Sequence, residues 1–219
     1  MIPGIIPVVI PKPLPTVTFI GSSLDSIDRT TYTFNVDVGT ITETTLLVMG
    51  CMGEDSIEYH DFTAASIGGT SATLAVSTGG DLLPSAVYYR EVNSGGTLAF
   101  SFTVSSTSWP LRRGAVNIWK IENYQSASPY SSDSQTGTAS SLTGTVDIPD
   151  GGIVISTAIA NGTGTVSWTG LTEDHDNSLD SAVRVSGGSE SYISGVTGQD
   201  IVLSLGSSRS ARLHCVVWR

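Results

Sequence analysis

Two short stretches gather side chains that could do chemistry. "TEDHDNSLD" brings Glu173, Asp174, His175, Asp176 and Asp180 together. Asp174, Asp176, Ser178 and Asp180 alternate along it, the spacing that puts oxygen ligands around calcium in an EF-hand loop. That loop needs a glycine where Leu179 stands and a bidentate glutamate where Val185 stands. The segment therefore reads as a solvated acidic loop, with Asp174, Asp176 and Asp180 only a weak metal candidate. "GEDSIEYHD" holds Glu54, Asp55, Glu58, His60 and Asp61. Carboxylates beside a histidine can exchange protons, yet no second feature of the chain points to that stretch.

Other catalytic signatures are missing. The chain has no G-x-S-x-G elbow, no glycine-rich phosphate loop and no H-E-x-x-H pair. His214 falls inside a strand pattern and reads as structural. Cys51 and Cys215 are the only cysteines and form no C-x-x-C motif. Buried free thiols and a single bridge both stay open, because sequence does not fix the distance between them. Asn161-Gly162-Thr163 matches a glycosylation sequon but reads better as a tight hairpin turn. These residues lead to the expectation of a non-enzymatic protein without a cofactor.

Aromatic and basic residues suggest recognition instead. Trp109 lies in "SSTSWPLRRG" beside Arg112 and Arg113, and Tyr124 and Tyr130 flank "QSASP". An exposed ring can stack on a sugar face, and tryptophan with arginine is a common anchor for protein partners. The competing role for Trp109 is to plug the end of a sheet, and for the tyrosines to cover a sheet edge.

The elements that position these residues are strands. "TYTFNVDV" places Tyr32, Phe34, Val36 and Val38 on one face and Thr31, Thr33, Asn35 and Asp37 on the other. "TLAFSFTV" and "DIVLSLG" repeat that period of two, which marks half-buried antiparallel strands. "TTLLVMGCM" and "GGIVISTAIA" are continuously apolar and read as central strands covered on both sides. Glycine pairs punctuate the turns, and no helical period stands out. The fold class is all-β, an antiparallel β-sandwich of jelly-roll-like or immunoglobulin-like type.

The pattern also echoes itself. "SAVYYREV", "TLAFSFTV" and "RRGAVNIWK" are answered later by "SAVRVSG", "DIVLSLG" and "RSARLHCVVWR". Aligning Trp119 with Trp218 sets Cys215 over Val116, a core position. The expectation is one sandwich domain over 16–219, built from two pseudo-repeated halves at about 44–122 and 151–219.

Bulk composition limits the partners. The chain has 219 residues, 10 Lys+Arg against 20 Asp+Glu, and a net charge of −10. Nucleic acid wants a basic face, so it is not expected as a partner. No apolar run is long enough to span a membrane. The opening has no basic region before its apolar residues and no small-residue cleavage site, so it does not read as a secretory signal; synthesis in the cytoplasm is expected.

That opening, "MIPGIIPVVIPKPLP", is an apolar arm over 1–15. Its prolines, Pro3, Pro7, Pro11, Pro13 and Pro15, are all odd-numbered. In an extended chain alternate residues send their N–H groups to opposite edges, and proline has none. One edge is thus largely stripped of donors while the other keeps them. Such a strand can pair on one side and refuse a partner on the other. Polyproline winding is the alternative conformation. Ile2, Ile5, Ile6, Val8, Val9, Ile10 and Leu14 are the candidate partner-binding side chains, over a reach of roughly 45–50 Å.

With "TTLLVMG", "SAVYYREV", "GGTLAFSFTV", "RRGAVNIWKIEN" and "SARLHCVVWR", the chain resembles tailed-phage virion accessory proteins from Thr16 to Arg219. The resemblance implies a β-sandwich module on a virus particle, either cementing the head or belonging to the tail. No functional residue carries over from it. The expected role is a head-decoration subunit, a homo-oligomer with a trimer favoured, whose arm locks onto neighbouring subunits. The alternative is a tail-fibre or receptor-binding module that takes a glycan.

Overall fold

The computed structural model describes residues 13–105 and 109–219. Nine strands make a first unit: β1 (Thr16–Asp25), β2 (Thr31–Asp37), β3 (Thr45–Glu54), β4 (Phe62–Ile67), β5 (Thr70–Ser71), β6 (Thr73–Thr78), β7 (Ser85–Val92), β8 (Thr97–Val104) and β9 (Arg113–Glu122). They form a five-stranded sheet in the order β1-β9-β3-β7-β6 and a four-stranded sheet in the order β2-β8-β4-β5. Tyr32, Phe34, Phe100 and Phe102 point from the smaller sheet into one core with Leu47, Met49, Cys51, Val116 and Ile118 from the larger. Their hydroxylated neighbours face outward, where Thr31 meets Thr103 at 3.0 Å and Ser66 meets Ser101 at 2.8 Å. The alternation of the sequence is thus the two faces of one outer sheet.

Six strands make the second unit: β10 (Ser131–Ile148), β11 (Ile153–Asn161), β12 (Ser167–Thr169), β13 (Thr172–Ser178), β14 (Val183–Ser191) and β15 (Val196–Trp218). The main sheet runs β10-β15-β11-β14-β13, with β12 paired to β15. β10 and β15 are long because each serves two layers. Ser131–Ala139 pairs with Arg209–Val217, the register slips, and Ser141–Ile148 pairs with Val196–Ser204. The ribbon folds back over its own sheet at that slip. Leu142, Val146 and Leu203 then share a core with Leu213, Cys215 and Val217. The layers approach closely: a Cβ on Gly144 would lie 2.8 Å from the Cys215 Sγ.

The large sheets of the two units stack face to face. Leu46, Val48, Trp119 and Ile121 of the first meet Ile153, Ile155, Val216 and Trp218 of the second. Met52, Leu83 and Ala115 meet Ile159, Leu179, Val183 and Val185 nearer the other end. β3 and β11 are therefore buried on both faces, as their unbroken apolar runs suggest. The order β1-β9-β3-β7-β6 recurs as β10-β15-β11-β14-β13, with Trp119 and Trp218 both on the stacked faces. Each half closes a core of its own rather than supplying one sheet to a shared sandwich.

All described strand pairs are antiparallel, and no described residue is helical. Cys51 and Cys215 are free thiols in separate cores. Two loop assignments change. "TEDHDNSLD" begins as edge strand β13, because its backbone pairs with β14 whatever its side chains are. Asn161-Gly162 is not a two-residue hairpin. The chain leaves β11 there and runs to β12, which pairs with β15 instead.

Candidate functional site

Three loops meet at one end of the first unit. The β1–β2 loop brings Asp28, the β3–β4 loop Asp55 and Ile57, and the β8–β9 loop Trp109, Pro110 and Arg112; together they line a groove. Local hydrogen bonds hold the loops in place. The buried Tyr32 hydroxyl donates to the Leu111 carbonyl at 2.6 Å and sits 3.0 Å from that of Ile27. Arg29 N–H donates to the Leu111 carbonyl at 2.9 Å. Arg112 donates to the Ser56 hydroxyl at 2.6 Å, and the Trp109 amide to Glu58 at 2.9 Å.

Asp55 and His60 form the centre of this scaffold. His60 Nε2 lies 2.9 Å from Asp55, and His60 Nδ1 lies 2.7 Å from the Ser105 carbonyl. Both side chains are buried. Burial raises the Asp55 pKa, but hydrogen bonds from His60, Ile57 and Ser56 outweigh it and hold the carboxyl below its usual range. The candidate acid–base stretch is thus a loop brace. Around it, large apolar side chains face solvent: Ile57 is 74% exposed, Tyr59 66%, Trp109 61% and Ile27 59%.

The structure splits the sequence's recognition candidates. Trp109 and Arg112 line the groove together. Arg113 does not join them; it pairs with Glu54 and, at 2.7 Å, with Asp180 of the second unit. Tyr124 and Tyr130 lie at the opposite end of β9. Tyr124 donates to Glu91 at 2.5 Å, and Tyr130 lines a shallow depression with Pro129 and Arg219. Ile57, Tyr59 and Ile27 were not candidates, because they come from loops far apart in the chain and carry no shared motif.

The weak metal candidates are committed elsewhere. Asp174 accepts from Trp119 Nε1 at 2.8 Å and Ser189 at 2.7 Å. Asp176 accepts two bonds from Arg184, and Asp180 pairs with Arg113. Of the arm candidates, Ile2, Ile5, Ile6, Val8, Val9 and Ile10 lie outside the described residues. Leu14 is exposed and touches the β10–β11 turn at Gly151, and Pro15 beside it is buried.

One constellation that the sequence did not reveal is Ser85 with His214, 2.8 Å apart at the junction of the units. His214 Nε2 also lies 3.0 Å from the Ser85 carbonyl, which can only accept, so Nε2 carries the proton. A protonated Nε2 cannot act as base toward the Ser85 hydroxyl. Nδ1 has no partner, and both residues are fully buried. The pair is an internal tie between units. Only the three-dimensional stacking brings these distant residues together.

No protein-family model matches the chain, and no curated protein matches it. Among solved structures it is similar to the Melon necrotic spot virus structure at 13% identity, covering 100% of this chain and 96% of that one, with a TM-score of 0.24. Cucumber Leaf Spot Virus follows at 9% identity over 99% and 95% of the two chains, with a TM-score of 0.21. A cupin 2 conserved barrel domain protein from Leptotrichia buccalis aligns at 8% identity over 96% and 92%, with a TM-score of 0.19. Superpositions this loose carry no argument about function, and none of the three is a tailed-phage protein.

Proposed function

We propose that this chain is a non-enzymatic structural subunit of a virus particle, of the head-decoration kind, which joins neighbouring subunits through its ends and its N-terminal arm. The carrying observation is where its large apolar side chains stay exposed. Ile27, Ile57, Tyr59 and Trp109 crowd one end, while Leu14, Tyr130, Ile193 and Val196 stand at the other, where the arm is rooted. Exposed apolar clusters on an otherwise well-packed body are the mark of contact surfaces. The outer face of the first unit between them carries small hydroxyls, such as Thr31, Thr103, Ser66 and Ser101. Burial of arm and ends across subunit joints would stabilise the particle by mass action.

Deleting residues 1–15 tests the reading. The shortened chain is expected to stay folded and soluble but to lose attachment to its particle in co-sedimentation. Undiminished attachment would rule out the arm. The number of copies per particle separates head from tail: hundreds fit decoration, a handful a tail component.

A second reading rests on Trp109. Its exposed ring beside Arg112 and Asp28 is the geometry on which a sugar face stacks, as in a receptor-binding module. Under that reading a glycan-array signal appears with the intact chain and disappears in Trp109→Ala.

A further inference from the structure

We propose that Arg209 and the glycine loop over it form a binding site for a small oxyanion. Arg209 sits where β15 bends, next to the slip in its pairing with β10. Only 9% of it is exposed, and its Nε has no hydrogen-bond partner. Its guanidinium reaches the Thr165 carbonyl over 3.3 Å, a long bond for a charged donor. A guanidinium has five donors and no means of discharging itself at ordinary pH. Burying it with so few acceptors is costly, and burial indeed lowers its pKa.

The neighbouring carboxylate relieves this only in part. Asp176 acts on Arg209 through its charge, but its oxygens already accept from Arg184 at 2.6 and 2.8 Å and from the Val166 amide at 3.2 Å. Arg184 adds a second positive charge nearby and Glu173 a second negative one, so the charges of the cluster balance and what Arg209 lacks is acceptors for its donors.

The loop over Arg209 lacks side chains at two positions. Between β11 and β12 the chain reads Asn161-Gly162-Thr163-Gly164-Thr165-Val166. Gly162 takes φ +91°, a conformation that other residues resist. A Cβ on Gly162 or on Gly164 would lie 3.5 Å from Arg209 NH1. The two glycines therefore leave only loop backbone over the guanidinium, with room for a methyl-sized group at ordinary contact distance from NH1. Thr163 and Thr165 of that loop are exposed. A guanidinium with unfilled donors suits a sulfate, phosphate or carboxylate group, held bidentately. At the matching place on the first unit, aligned through the two tryptophans, stands Pro110, so the site belongs to the second unit alone.

The test is an NMR titration of the full chain with sodium sulfate, against sodium chloride at matched ionic strength. Sulfate is expected to shift the Arg209 Nε–H resonance and the Gly162 and Gly164 amides along one saturable curve, with chloride moving none of them. Arg209→Gln should weaken the sulfate response about tenfold or more. Gly164→Ala provides a variant that keeps the arginine. Its added methyl makes only ordinary contact with NH1 in the protein alone, so the fold survives, but it occupies the space an anion needs. An unmoved Arg209 resonance in the unaltered chain overturns the proposal. So does a sulfate response that survives both substitutions.

Discussion

His214 shows how one buried side chain ties stability to pH. Its ring sits between the units against Ser85 and Thr78, and burial brings its pKa down to about 4 from an ordinary 6.5. The folded chain holds the ring neutral while the unfolded chain takes up a proton as pH falls. Stability from this group is therefore complete above pH 6.5 and is lost between 6.5 and about 4. The shift corresponds to about 3 kcal/mol. His175, also lowered by burial, acts in the same direction, whereas Asp174, raised by burial, acts in the opposite one. Comparing the unaltered chain with His214→Gln cancels both. Urea midpoints measured from pH 7 down to pH 4.5 should fall less steeply in the variant. Parallel curves would place the His214 titration outside this window. Asp55 is a separate case at lower pH: its depressed carboxyl holds the groove loops until it protonates. Asp55→Asn should lower stability at neutral pH and flatten the acid limb below about pH 4.

At the scale of elements, close approach between layers sets what each strand tolerates. A Cβ on Gly187 of β14 would lie 2.8 Å from the Trp119 ring and 2.9 Å from Asn117. A rigid indole cannot give way cheaply, so Gly187→Ala should cost about 1–3 kcal/mol. Gly137 on β10 is the control, since its added Cβ meets only the flexible end of Leu142 at 3.6 Å. Gly137→Ala should stay within about 0.5 kcal/mol. Urea denaturation of the two variants decides between layer contact and a general glycine effect. Elements with apolar periodicity were legible in the sequence: the alternation at Tyr32 and Phe34, and the unbroken apolar runs of β3 and β11, foretold which faces would be covered. β13 was not, because its acidic side chains carry no period and only its backbone ladder makes it a strand. The length of β10 was hidden for the same reason, since Ser131 to Ser141 offers hydroxyls on both faces. Trp109 and Arg112 could be singled out from residue type, but Ile57 and Ile27 join them only through tertiary folding.

For the molecule as a whole, the decisive surface is the one between the stacked sheets. Its apolar clusters lie toward the two ends, with Asn117, Thr157, Ser186 and His214 between them. Two ion pairs cross it reciprocally. Arg113 of β9 reaches Asp180 on the loop before β14, and Arg212, at the matching position of β15, reaches Asp81 on the loop before β7. Such reciprocity is the signature of a two-fold contact, here within one chain. Separating the units would expose Leu46, Val48, Trp119 and Trp218 to water and strand these charges. The two units should therefore unfold as one, and far-ultraviolet dichroism and tryptophan fluorescence should trace a single urea transition. The Arg212–Asp81 side chains are only 11% and 18% exposed. A double-mutant cycle through Arg212→Gln and Asp81→Asn should give a coupling of about 1–3 kcal/mol. The more open Arg29–Asp25 pair should give about 1 kcal/mol or less. Two separate transitions in the unaltered chain would mean that the stacked surface is a weak contact, and the cycle would then return a coupling near zero.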